Sequence, residues 1–372
     1  MSSKLFPGRQ QLWIIAAFAT IVTLSSAQVQ TPKPSRSISV VASTIPANGD
    51  VNPYGIFRVP VSQGHLTAGN LLISNFNNSA NLQGTGTTIV QISPAGDVSL
   101  FAQIDATTLP GPCPGGVGLT TALGVLKSGW VIVGSLPTAD GTSNTAQAGC
   151  LIVLDSNGNV VSTIADNRIN GPWDMAVFDS TDVNSTAALF VTNVLNGTVA
   201  GNGNVVNQGT VVRVGLMAPQ NGTPSVQSMT VIGSRFSERT DPAALVIGPT
   251  GMALSADQKT LYVADSLNNR VASISDPLTR TTSANVGTTI TQGGSLNDPL
   301  GMTISATGQI LTANGNNGFL VQTTPGGMQT ARILLDSSGN PPGAGALFGL
   351  AYVGQEALYY VDDASNTLNT LQ

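Results

Sequence analysis

The chain has 372 residues, 41% of them hydrophobic and only 9% charged, and 14 Lys and Arg against 19 Asp and Glu give a formal charge of −5. An ordinary globular domain is about 25% charged. The surface must therefore be covered by Ser, Thr, Asn and Gln, and so few cations exclude the phosphate-neutralising patch that nucleic-acid or anionic-membrane binding requires.

Lys4 and Arg9 precede the apolar run LWIIAAFATIVTL (12–24), which ends at the small residues Ser25-Ser26-Ala27. This is the pattern of a secretory signal over 1–27. The run is shorter than the roughly 20 residues needed to cross a bilayer, and no later segment approaches that length, so the chain is not expected to span a membrane. QVQTPKPSR (28–36) reads as a flexible leader. SISVVAS (37–43) is β-rich and belongs to none of the repeating units that follow.

From residue 52 on, one cadence recurs: a Pro or Gly turn, a Gly, an apolar run, a polar hairpin, and a second apolar run ending at Asn, Asp or Ser. The pairs are NPYGIF with NLLISN, GGVGLT with WVIVGS, GPWDMAV with LFVTN, GPTGMAL with LYVAD, DPLGMTI with ILTAN, and ALFGLAY with LYYVD. The repeat position is Gly55, Gly118, Asp174, Gly251, Gly301 and Gly349. Its intervals of roughly 50 to 75 residues indicate a propeller or solenoid. Runs such as LYVA and WVIV are apolar on both faces, as strands between two neighbouring sheets must be. Third strands follow at TTIVQIS, CLIVLD, GTVVRV, RVASIS, GFLVQTT and NTLNTLQ, and turns such as SPAGD (93–97) and DSNGN (155–159) lead into fourth strands. The last unit stops after its third strand, so 37–43 is expected to close the ring as the outer strand of the sixth sheet, removing a bare edge. The expected architecture is all-β: a single domain over 37–372, with blades near 53–110, 111–170, 171–247, 248–297, 298–345, and 346–372 joined by 37–45. GNGNVVNQG (201–209) and the polar stretch near 217–230 are expected to be surface excursions of the long third unit.

The stretch YVADSLNNRV (262–271) resembles the NHL repeat of extracytoplasmic β-propellers. The resemblance extends over the units and implies a six-bladed propeller. GPTGMALSADQKTLYVADS is distantly similar to a unit of the gluconolactonase and paraoxonase type. Where that family places a metal-binding Asn, this chain has Thr250. The resemblance implies no reaction, because the architecture serves lyases, lactonases and binding modules alike.

Two rings of side chains are expected at one mouth of the channel. The second strands end at Asn75, Ser135, Asn193, Asp265, Asn314 and Asp362, hard oxygen donors that suit calcium or that cap their own turns. The slot before the repeat position holds Tyr54, Val117, Trp173, Thr250, Leu300 and Phe348. Most of these are apolar or aromatic, which reads as a ligand-binding cup or as plain packing of the mouth. Asp174, in the place of a Gly, is the candidate catalytic group at its edge.

Cys113 and Cys150 are expected to pair in an oxidising compartment, secreted or periplasmic, closing a loop that stabilises by roughly 3 to 4 kcal/mol. The single His65 excludes a three-His zinc site, makes a Ser-His-Asp triad untenable, and falls in a hairpin on the opposite face. Asp265 and Arg270 are spaced for a local ion pair. The sequons at Asn77, Asn184, Asn196 and Asn221 matter only in a eukaryotic secretory pathway. Three functions stay open: a binding module for a small apolar molecule, a peptide or a protein, with no cofactor; a calcium-assisted lactone or ester hydrolase using Asn75, Asn193, Asp265, Asn314 and Asp362 as ligands and Asp174 as general base; or a structural or assembly role through the outer edges of the blades.

Overall fold

Strands without a polar face must be covered on both sides, and the second and third strands of this chain are of that kind: LLISNFN, VIVGS, CLIVL and ILTAN are buried at every position. A ring of sheets standing face to face satisfies all of them at once. The computed structural model, which describes residues 1–4, 8, 36–180, 185–354 and 357–372, has that form. Contacts divide the chain into Met1–Ser35 and Arg36–Gln372. In the first unit the described residues hold no helix or strand, and the expected signal and leader lie almost wholly outside the described residues. No helix among the described residues is long and apolar enough to cross a membrane.

After β1 (Ile38–Ser43), the first blade is β2 (Val51–Arg58), β3 (Leu71–Asn77), β4 (Thr88–Ile92) and β5 (Val98–Gln103). The second is β6 (Leu119–Val125), β7 (Val131–Ser135), β8 (Cys150–Leu154) and β9 (Val160–Ile164). The third has five strands, β10 (Pro172–Asp179), β11 (Thr186–Asn193), β12 (Val206–Met217), β13 (Ser225–Asp241) and β14 (Leu245–Ile247). The fourth is β15 (Pro249–Leu254), β16 (Thr260–Asp265), β17 (Arg270–Ser275) and β18 (Thr288–Gln292). The fifth is β19 (Pro299–Ile304), β20 (Ile310–Asn314), β21 (Phe319–Thr323) and β22 (Gln329–Leu334). The sixth is β23 (Leu347–Val353), β24 (Ala357–Asp362) and β25 (Thr367–Leu371), completed by β1 in the order β1-β25-β24-β23. Ile38 lies opposite Leu371 and Ser43 opposite Thr367. The innermost strands β2, β6, β10, β15, β19 and β23 touch in turn, and β23 returns to β2. The protein is thus an all-β, six-bladed propeller whose ring is closed by its N-terminal strand.

The third blade departs from the expectation of surface excursions. Residues 206–209 belong to β12, and β12 and β13 form a ribbon of 12 and 17 residues. The polar residues of this ribbon are held in strand by cross-strand pairing, which composition does not reveal. The end of β13 turns back through Leu245 and Val246, which join the same apolar cluster as Tyr54, Trp173 and Phe348.

Cys113 and Cys150 form the expected disulfide, joining the segment before β6 to the start of β8. His65 is exposed, with Nδ1 3.1 Å from the Asn157 carbonyl. Of the sequons, Asn77 is buried in β3, Asn196 is half-buried and Asn221 exposed, and Asn184 lies outside the described residues.

Candidate functional site

The innermost strands occupy the ends of their sheets, so their free backbone edges face the propeller axis. At the repeat position of the first, fourth, fifth and sixth blades those edges come so close that only glycine fits, whereas the third blade has Asp174 there and, by strand register, the second has Ala122 in place of the expected Gly118. A Cβ on Gly349 would stand 2.5 Å from the Tyr54 carbonyl oxygen of the next blade, and Cβ atoms on Gly251 and Gly301 would overlap the carbonyls of Leu300 and Phe348. Glycine recurs here for close approach. Hydroxyls bridge one blade to the next at this level: the Gly55 N–H donates to Ser74 Oγ (3.1 Å), which donates to the Thr120 carbonyl (2.7 Å). In the third blade the Asp174 N–H donates to Thr192 Oγ1 (3.0 Å), which donates to the Thr250 carbonyl (3.0 Å). Thr250 is itself buried, its hydroxyl 2.6 Å from Ser266 Oγ and donating to the Pro299 carbonyl at 2.9 Å.

Of the slot side chains, Tyr54, Trp173, Leu300 and Phe348 share one apolar cluster that fills the mouth and leaves no hollow, while Val117 packs in another cluster and Thr250 is hydrogen-bonded between blades. Tyr54 stacks on Phe348 with ring centroids 3.8 Å apart and on Phe76 at 4.5 Å, and Trp173 lies 6.2 Å from both Tyr54 and Phe348. Tyr54 and Trp173 are 6% exposed, Phe348 and Leu300 7%. Ala244, Leu245 and Val246 lie over the rings. Leu245 holds a left-handed backbone, φ 62°, a conformation that costs a non-glycine residue of the order of 1 kcal/mol or more. The expected cup is a lidded aromatic plug.

Below the plug the channel opens into a well of about 350 Å³. Its rim is formed by the last residues of the inner strands, among them Arg58, Leu254, Ile304 and Tyr352, on the face away from the plug. At its inner end stands Asp174, 8% exposed. Its Oδ2 accepts the Met252 N–H of the neighbouring strand edge at 2.8 Å. Burial pushes its pKa up to about 7, against the smaller opposing effect of the Met252 and Met175 amides. A carboxyl that ionises near neutrality in a dead-ended cavity can accept a hydrogen bond or a proton from a ligand there.

The second-strand ends are spent one blade at a time. Asp265 is bound by Arg270 at 2.7 Å and by Asn268 at 2.9 Å; burial raises its pKa and the guanidinium opposes the rise. Asp362 accepts the Ser365 N–H at 3.0 Å. Asn75 donates to the Thr44 carbonyl at 3.1 Å, and Asn314 to the Ser295 carbonyl at 2.8 Å. The Oδ1 atoms of Asn75, Asn193 and Asn314 are buried without a partner, but they stand on β3, β11 and β20 with a whole sheet between each pair. Packed sheets are about 10 Å apart, whereas one calcium ion needs its oxygens within 2.3 to 2.6 Å. No three His, Cys, Asp or Glu among the described residues are grouped to hold a metal, so this donor set does not fit a shared calcium ion.

The motifs alone did not bring out Arg58, Tyr352 or the covering segment 244–246. Nor did they reveal other strongly perturbed carboxyls: burial raises Glu238 to about 9, Asp363 to about 8 and Asp298 to about 6.

Fold and site together define a six-bladed propeller with a plugged mouth and a blind axial well. Residues 129–342, more than half of the chain, match the family described as SMP-30/Gluconolactonase/LRE-like region, and the chain belongs to that family. Among solved structures it is similar to a calcium-binding protein, regucalcin, from Agrobacterium tumefaciens (14% identity, 89% of this chain and 93% of that one, TM-score 0.56). It is also similar to a gluconolactonase from Xanthomonas campestris (12% identity, 90% and 89%, TM-score 0.53) and to a luciferin-regenerating enzyme (12% identity, 91% and 95%, TM-score 0.54). At such identities the likeness is one of fold. No curated protein sequence matches the chain.

Proposed function

We propose that this propeller binds a small molecule in the axial well, entering from the face of Arg58 and Tyr352, with Asp174 as the group that recognises it. The observation that carries this reading is a carboxyl in the place where the first, fourth, fifth and sixth blades have glycine, at the inner end of a 350 Å³ cavity. The ligand must offer an amine or hydroxyl to Asp174, and its body must suit a wall of apolar side chains and backbone edges. The plug residues Tyr54, Trp173, Leu300 and Phe348 precede the repeat position by one residue, so they back the inner end of the well. The disulfide fits an exported protein.

Calorimetric titration with n-propylamine at pH 7.5 tests the reading. Wild-type chain is expected to take it up and Asp174→Asn to lose it, with calcium and chelator leaving both results unchanged. Equal binding by the two proteins, or none by either, removes Asp174 as the recognition group.

A second reading is lactone or ester hydrolysis with Asp174 as general base, favoured by its ionisation near pH 7 and by the family match. Alkali consumption on simple γ- and δ-lactones that falls to background in Asp174→Asn supports it, and turnover unchanged by the substitution refutes it.

A further inference from the structure

Among the described residues two formally charged side chains line the well, and they have opposite sign and opposite depth. Asp174 stands at the repeat position of the third blade. Arg58 stands three residues beyond the repeat position, Gly55, of the first. A strand rises about 3.3 Å per residue, which sets the two roughly 10 Å apart along the axis. The first and third blades have the second between them, so the two line the same well about a third of a turn apart around the axis. Neither group is satisfied by the other: the described ion pairs are Arg168–Asp166, Arg239–Asp241 and Arg270–Asp265. The guanidinium of Arg58 makes no hydrogen bond or ion pair among the described residues. Between the two levels the lining is uncharged, with Leu123, Met175, Ala176 and Met302 among its residues. A cavity with a carboxyl at the bottom, a free cation at the rim and an uncharged middle is complementary to a molecule polar in the reverse sense.

Resting on the axial-well reading above, we infer that the ligand is bipolar: an amine or hydroxyl at one end for Asp174, a short apolar body, and an acidic group at the other end for Arg58. Small ω-amino acids and ω-hydroxy acids are of this class. The deep contact is a charge-assisted hydrogen bond in a nearly dry place, and it carries most of the affinity. The rim contact is an exposed ion pair and acts as a selector.

The test uses 6-aminohexanoate, n-hexylamine and hexanoate against the full chain at pH 7.5 and low salt, with Arg58→Gln and Asp174→Asn. The aminohexanoate is expected to bind about fivefold tighter than the amine alone, the ratio an exposed ion pair supplies. Arg58→Gln is expected to erase that ratio and leave hexylamine affinity unchanged, and added salt is expected to do the same. Asp174→Asn is expected to weaken both amines. Equal affinity of the two amines in wild-type chain, or a ratio that survives Arg58→Gln, overturns the bipolar ligand. Asp174-dependent binding of hexylamine in that case still upholds the well itself. Hexylamine uptake that ignores Asp174→Asn, or no uptake of either amine, overturns both.

Discussion

Replacing Asp174 by Asn separates the electrostatic cost of the buried carboxyl from its shape. In the folded chain its pKa is raised from 3.8 to about 7. Below pH 3.8 the group is neutral in both states and contributes nothing. Between 3.8 and 7 the folded state keeps a proton that the unfolded chain has released, so stability falls as pH rises, by about 1.4 kcal/mol per unit. Above 7 the loss is complete, on the order of 4 kcal/mol for the shift of about three units. An amide of the same size carries no charge, so Asp174→Asn is expected to exceed the stability of the wild type by about 1 kcal/mol at pH 4.5 and by about 4 kcal/mol at pH 8, a double difference of about 3 kcal/mol. Urea unfolding of both proteins at the two pH values measures the double difference. A stability gap that is the same at pH 4.5 and pH 8, within about 0.5 kcal/mol, would refute an Asp174 held in a dry site. Glu238, Asp298 and Asp363 are displaced in the same direction, so the wild-type chain should itself lose stability steadily from pH 5 to pH 9.

Gly301→Ala should prevent folding or cost several kcal/mol, because its methyl would overlap the Phe348 carbonyl, whereas Gly326→Ala, where the nearest atom is Thr324 Oγ1 at 3.8 Å, should stay within about 0.5 kcal/mol in the same unfolding assay. Asp265→Ala strands the buried Arg270 guanidinium and should cost about 3 to 5 kcal/mol, and Asp265→Leu combined with Arg270→Met should recover most of it. Reduction of Cys113–Cys150, a closed loop of 37 residues, should lower stability by roughly 3 to 4 kcal/mol, read as a shifted urea midpoint.

The ring was legible because its constraints act on single residues in most units. A glycine is demanded in four of the six blades, where the next blade's backbone crosses the inner strand, and apolar character is demanded on both faces of a strand between two sheets. The role of 37–43 followed from a missing partner. What escaped the motifs depended on packing between units. GNGNVVNQG has little strand propensity, and its residues 206–209 join β12 by pairing with β13, Val206 opposite Glu238 and Gly209 opposite Phe236. The motif placed Tyr54, Trp173 and Phe348 on one ring but could not give the ring's width, and so could not separate a cup from a plug. Leu245 reaches that ring from the start of β14 with a backbone that no local pattern announces. Arg58 lay in plain view in YGIFR, one turn of argument away: the third residue past the repeat glycine is the one that reaches the far rim.

The plug and the well are two halves of one arrangement. A propeller channel is open at both ends unless side chains close it, and this chain closes one end with stacked rings under a backbone cover. That closure removes water from one side of Asp174 and so raises its pKa. Among the described residues it leaves the well open on the side of Arg58. An aromatic mouth and an acidic residue in a glycine's place are therefore coupled: opening the plug by Phe348→Ala should re-hydrate the carboxyl and draw its pKa back toward 3.8, as well as costing about 3 to 5 kcal/mol of packing. If the ionisation of Asp174, followed by carboxyl NMR, stays near 7 in that variant, the plug is only packing, and the well owes its chemistry to the strand edges alone.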